Sequence, residues 1–137
     1  MSYWKLFYHV VWSTKHRLPL IDPVWETDLY GYIWGKATAL ECYPHAINGM
    51  PDHMHVVISV PPKLSVATIV GHLKGASSHR VNAVFVSHNS FAWQAEYSVF
   101  SFSEKALPTV VNYVKHQKTH HAENSIRSAL ENFDRTE

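Results

Sequence analysis

The sequence predicts an α+β domain in the order β-α-β-β-α-β, with one further helix at its C-terminal end. Three observations predict it. The N-terminal run WKLFYHVVW alternates aromatic and β-branched residues, two apolar stripes recur at helical spacing, and the turn-forming GMPD and PP bracket a short hydrophobic strand between those stripes.

Each element follows from local pattern. Trp4, Leu6, Tyr8, Val10 and Trp12 alternate and read as a strand, because successive strand side chains point to opposite faces. After the loop STKHRLPLI, Asp22 and Pro23 read as the N-cap and first residue of a helix whose face is Trp25, Leu29, Tyr32, Ile33, Ala37 and Leu40. Tyr43 to Asn48 reads as a short second strand, Gly49 to Asp52 as a turn, and His53 to Val60 as a third strand that Pro61 and Pro62 end. Ser65 caps a second helix, running to about Phe85, with Val66, Ile69, Val70, Leu73 and Ala76 on its face. Phe91 to Phe100 contains a fourth strand, interrupted near Glu96. A last helical region carries Val110, Val111 and Val114 and, further on, Ile126, Leu130 and Phe133. Two starts compete for it: Ser103 is a good N-cap, whereas Pro108 sits best in a first turn. The order is the split βαβ, ferredoxin-like arrangement, in which both crossover helices cover one face of an antiparallel sheet.

Composition narrows the class. A chain of 137 residues, 46% of them apolar, fits a single domain over 1–137 with a sizeable core. Cys42 is the only cysteine, so there is no internal disulfide and no cysteine-cage metal site. The N-terminus lacks a signal-peptide pattern and no apolar run approaches the ~18 residues of a membrane span, so the expectation is a cytoplasmic protein with no membrane partner. A formal charge of +1 does not by itself argue for nucleic acid. The 11 histidines are the most unusual feature of the composition.

Two of those histidines stand in PDHMHVVISVPP. Alternation puts Met54, Val56, Ile58 and Val60 on the apolar face of the third strand and His53, His55, Val57 and Ser59 on the face the two helices leave open. Imidazoles at i and i+2 lie within reach of a single cation; two solvated or hydrogen-bonded strand histidines are the alternative. In NYVKHQKTHH, Tyr113 and Gln117 are four apart and project from one helix face. Aimed at the histidine pair, they would set a phenol nucleophile beside a metal whose third protein ligand is an amide oxygen. Packing and surface polarity are the alternative.

HMH preceded by MPD, then LKGASSHR, EYSVFSFS and YVKHQKTHH, together with the opening FYHVVWSTKHRLPLI, resembles the single-tyrosine HUH transposases of the smallest bacterial insertion sequences, the IS200/IS605-like transposase family. The resemblance runs over nearly the whole chain in the right order. It implies that His53 and His55 bind a divalent cation, Mg2+ or Mn2+, that Gln117 completes the metal site, and that Tyr113 is the nucleophile. It further implies single-stranded DNA with hairpin ends as substrate, and a homodimer in which His53 and His55 of one chain meet Tyr113 and Gln117 of the other. A phenol with a reference pKa near ~10 is a poor nucleophile at neutral pH, so a Lewis acid at the phosphate suits the chemistry.

Other residues bear on DNA. Lys15, His16 and Arg17 in the first loop, Lys74, His79 and Arg80 along the second helix, and Lys115, His116 and Lys118 beside the tyrosine are candidates for phosphate contacts, with a solvated basic face as the alternative. Trp93 and Tyr97 would either stack on bases or pack in the core. His120 and His121 match the family pattern without a derivable role, and Cys42 reads as a buried small hydrophobe. Two other readings stay open: an RRM-like nucleic-acid-binding module without catalysis, and a domesticated relative acting on repeated extragenic palindromes.

Overall fold

Strand β1 (Phe7–Ser13) runs up the middle of a four-stranded antiparallel sheet of order β2-β3-β1-β4, built with β2 (Tyr43–Met50), β3 (His53–Ser59) and β4 (Ser98–Phe102). Helices α1 (Glu26–Ala39) and α2 (Val66–Val84) are the two crossovers, and α3 (Leu107–Lys115) and α4 (Gln117–Ala122) follow β4. The structure, a computed structural model, describes residues 3–122. Ile126, Leu130 and Phe133, expected on the last helix, lie outside the described residues. The β-α-β-β-α-β order of the sequence reading is the order observed. Among the described residues no helix is long and apolar enough to cross a membrane.

The sheet's two faces have different cores. Val10 and Trp12 of β1 and Met54, Val56 and Ile58 of β3 pack with Leu29, Ile33 and Ala37 of α1 and Ile69, Leu73 and Val81 of α2. Truncating one of the leucines or isoleucines among them to alanine costs about 2–5 kcal/mol. On the opposite face Ala46 and Val57 pack with Val110, Tyr113 and Val114 of α3. The alternation of β3 therefore divides as its sequence pattern predicts, and the histidine face lies away from α1 and α2.

Four boundaries differ from the sequence reading. Helix α1 begins at Glu26 rather than Pro23. Asp22 instead accepts the Val24 N–H through Oδ1 at 2.9 Å, closing a turn that carries Trp25 into the core, stacked on Phe85 with ring centroids 5.3 Å apart. The β2–β3 connection is only Pro51–Asp52, because β2 continues through Gly49 and Met50 paired to Met54 and His53. Gly49 is needed there for close approach: a Cβ would lie 2.3 Å from the His53 carbonyl oxygen.

The fourth strand occupies Ser98–Phe102, and the stretch before it forms only a single bridge, Trp93 to Thr14. Side chains of α2 take its backbone groups instead. Lys74 Nζ donates to the carbonyls of Gln94 (2.6 Å), Ala95 (3.2 Å) and Glu96 (3.1 Å), while Asn82 bonds both the N–H and the carbonyl of Phe91. Both candidate starts of the last helix are used. A 3-10 turn, Glu104–Ala106, follows Ser103, and Pro108 sits in the first turn of α3. The helix then breaks at His116 (φ −106°, ψ 26°) before α4.

Gly49→Ala tests the hairpin directly. The added methyl should force β2 away from the His53 carbonyl and destabilise the fold by about 1–3 kcal/mol, read as a lower urea midpoint. An unchanged midpoint contradicts the close-approach account.

Candidate functional site

The two-residue hairpin places Asp52 immediately before the first histidine of β3, and this fixes the ring. Asp52 Oδ1 is 2.7 Å from His53 Nδ1, and Asp52 Oδ2 accepts from Arg17 at 3.2 Å. The His53 hydrogen bond holds the Asp52 carboxyl below the usual carboxylate range, outweighing the partial burial that pulls it up, and the charges of His53 and Arg17 add to the lowering. With the carboxylate accepting, the His53 proton it bonds lies on Nδ1, which in the neutral ring leaves the lone pair on Nε2.

His55 stands two residues on, fully buried, with its Nδ1 2.8 Å from Nε2 of His9 on β1. Its ring centroid is 5.1 Å from that of His53 and 6.1 Å from that of Tyr113, the phenol meeting the imidazole edge-on at 78°. Tyr113 is 2% exposed, and Gln117, four residues later across the break at His116, is completely buried. Sheet alternation and the short helix α3 thus bring His53, His55 and Tyr113 of one chain side by side.

The ends of α3 and α4 are tied to the β2 edge of the same chain. Asn48 Nδ2 donates to the Lys115 carbonyl at 3.1 Å. Lys118 Nζ reaches Asn48 Oδ1 (3.2 Å), the Gly49 carbonyl (3.0 Å) and Glu26 Oε2 (3.2 Å). The sequence reading expected the tyrosine helix on a partner's sheet; in this single chain it lies on its own.

Among the described residues no three His, Cys, Asp or Glu side chains form a group able to hold a metal ion. A cation here would therefore need oxygen donors beyond the two imidazoles. The Gln117 amide oxygen, phosphate oxygens and water are such donors, and hard divalent cations accept them. The donor set fits a cation bound together with a phosphodiester.

The remaining candidates are dispersed. Lys15 is exposed on a 3-10 turn, Lys15–Arg17, in which His16 and Arg17 adopt left-handed backbone (φ 58° and 54°). Arg17 is directed at Asp52, and Lys74 at three carbonyls of its own chain. Arg80 makes a two-pronged pair with Asp28 (3.0 and 3.2 Å) and lies over the Tyr32 ring at 4.9 Å. Lys115 is exposed on α3. Trp93 packs edge-on against Trp12 and Phe91 and donates to Ser77 at 2.9 Å; with Tyr97 it sits against the core, as the packing alternative holds. Cys42 is buried, which pushes its thiol up.

Sequence reasoning missed His9 and used Asp52 only as a turn residue. A signal for His9 was present in FYHVVW: if Tyr8, Val10 and Trp12 face the helices, His9 and Val11 share the other face, and Val11 is the partner of His55.

Comparison with known proteins gives the chain its relatives. A curated relative, the ISDra2 transposase TnpA of Deinococcus radiodurans, is 25% identical over 122 residues, covering 83% of this chain and 85% of its own. The transposase for insertion sequence element IS200 of Salmonella typhimurium is 27% identical over 124 residues, covering 83% and 78%. Among solved structures, a Deinococcus radiodurans R1 protein crystallised as a candidate transposase superposes with a TM-score of 0.68 at 26% identity, over 85% of this chain and 95% of that one. A REP-associated tyrosine transposase bound to a REP hairpin gives 0.66 at 16% identity, over 88% and 74%, a likeness of fold. The family described as "Transposase IS200 like" matches residues 2–117, which span every strand of the sheet, both histidines of β3, Tyr113 and Gln117; the chain belongs to the IS200-like transposase family.

Proposed function

We propose that this chain cuts and rejoins single-stranded DNA at hairpin-marked element ends through a 5′-phosphotyrosine on Tyr113, with Mg2+ or Mn2+ held by His53, His55 and Gln117. Family membership makes it a DNA-processing enzyme. The finer reading rests on one observation: the buried His55 ring neighbours both His53 and Tyr113, with Nδ1 of both imidazoles already engaged. Nε2 is then the nitrogen each ring offers a cation.

Bound there, the cation would polarise the scissile phosphate and stabilise the departing 3′ oxygen. Asp52 keeps the His53 proton on Nδ1. Tyr113 Oη forms the new bond to phosphorus as the P–O3′ bond breaks, and the phenolic proton ends on the released 3′ oxygen. The product is a 5′-phosphotyrosine and a 3′-OH. Because the linkage remains a phosphodiester, a 3′-OH can attack it, rejoin the strand and return the phenol without an external energy source. Lys15 and Lys115, both exposed, are the basic side chains best suited to phosphate; Arg17, Lys74 and Arg80 are engaged within the chain.

The RRM-like alternative is disfavoured by the covered sheet face. Such modules stack bases on exposed aromatics, whereas this face carries buried histidines beneath α3. A domesticated relative acting on extragenic palindromes would use the same residues, and the DNA flanking the gene distinguishes it.

We propose a cytoplasmic homodimer with shared sites. Tyr113 is 2% exposed, so a phosphodiester reaches it only when α3 shifts against the sheet. In a two-fold dimer the same seat can receive the partner's helix. The ties through Asn48 and Lys118 favour a second reading, in which each chain completes its own site.

Tyr113→Phe should lower cleavage of labelled single strands from the flanking DNA by on the order of 10⁴-fold or more, as loss of a nucleophile does, and leave hairpin binding nearly unchanged. A covalent adduct that persists in this variant refutes the nucleophile. His55→Ala and EDTA treatment of the wild type should each abolish cleavage; full activity in EDTA excludes the metal mechanism. For the shared site, Tyr113→Phe chains are mixed with His53→Ala/His55→Ala chains and allowed to exchange. Recovered cleavage is expected, since each heterodimer then holds one intact composite site. Demonstrated heterodimers without activity would mean that each chain builds its own.

A further inference from the structure

We propose that His9 is a positioning residue: it accepts a hydrogen bond from His55 Nδ1 and so keeps the His55 Nε2 lone pair available to the cation, an inference that rests on the metal reading above. The two rings are 5.0 Å apart between centroids, their planes differ by 21°, and Nε2 of His9 lies 2.8 Å from Nδ1 of His55. Those three values together describe rings meeting edge to edge in nearly one plane, with the lone pair of one nitrogen aimed along the N–H of the other.

A bond between two imidazoles can run in either direction, and the directions have opposite consequences. If His9 donates, His55 accepts on Nδ1, carries its proton on Nε2, and cannot ligate through that atom. If His55 donates, Nε2 is a lone pair and His9 carries its own proton on Nδ1. Only the second direction makes the histidine pair equivalent, with Nδ1 of His53 donating to Asp52 and Nδ1 of His55 donating to His9. A ligand histidine whose other nitrogen is held in this way is fixed in both tautomer and ring orientation.

The surroundings keep His9 from reorienting. It is fully buried on β1, directly opposite Val57 of β3 and Phe100 of β4, and its ring lies 6.1 Å from that of Phe100. The sheet register thus sets it two residue pairs along from His55, on the same face, His55's own partner on β1 being Val11.

Two measurements test the role. In the metal-free wild type, long-range proton–nitrogen NMR of the imidazoles should find His55 protonated on Nδ1. Binding of Mn2+ alone, followed by electron paramagnetic resonance, should weaken about 10–100-fold in His9→Phe, which keeps a ring but has no acceptor. His9→Gln, which returns an acceptor oxygen, should bind within a few fold of wild type, both variants being checked for fold by circular dichroism. An Nε2–H tautomer at His55, or equal Mn2+ affinity in folded His9→Phe, overturns the role of His9 alone. Absence of Mn2+ binding by the wild type overturns the metal reading and this inference with it.

Discussion

A buried imidazole has two nitrogens to provide for, and one face of this sheet buries His9, His53 and His55 together. An unsatisfied polar group in such a place costs about 1–3 kcal/mol, so the positions of their partners are not optional. Asp52 serves His53 from the hairpin turn, and His9 serves His55 from the neighbouring strand. That turn exists in its two-residue form only because Gly49 lets β2 approach the His53 carbonyl. Backbone close approach, carboxylate placement and ring orientation are therefore one linked constraint, and the proposed chemistry is its consequence.

The helix that covers this face is held by its contacts rather than by its own propensity. At nine residues α3 is too short to persist alone in water. Val110 and Val114 bury against the sheet, and Asn48 and Lys118 secure the junction with α4. A 3-10 turn on one side and the break at His116 on the other set this short helix off from the elements that flank it. The other face, filled by α1 and α2, gives the sheet a core separate from the one beneath α3.

Much of this was legible in the sequence, because period-two alternation in HMHVVIS and helical stripes in α1 and α2 are direct images of what each face packs against. Tyr113 and Gln117 were legible by spacing, although the helix that was expected to carry both is broken between them. The misread segments share a cause. At Asp22 and across 91–97, long-range partners, namely the Trp25 stacking contacts and the Lys74 and Asn82 side chains, outweigh local propensity. His9 escaped notice because a lone histidine in an aromatic strand carries no motif; only the pairing of Val11 with His55 reveals which neighbours it has. Lys74 and Arg80 look like free basic residues in sequence, yet their partners lie 20 or more residues away.

We propose that the histidine face of β3 is a metal centre presenting Nε2 of both rings. Its most direct measurement is the anomalous scattering of manganese in crystals of the chain grown with Mn2+ and a short single-stranded oligonucleotide. One peak is expected within ligand distance of Nε2 of His53 and of His55, with Asp52 and His9 still on the Nδ1 atoms. A peak bound through Nδ1, or manganese located only away from this face, would contradict it.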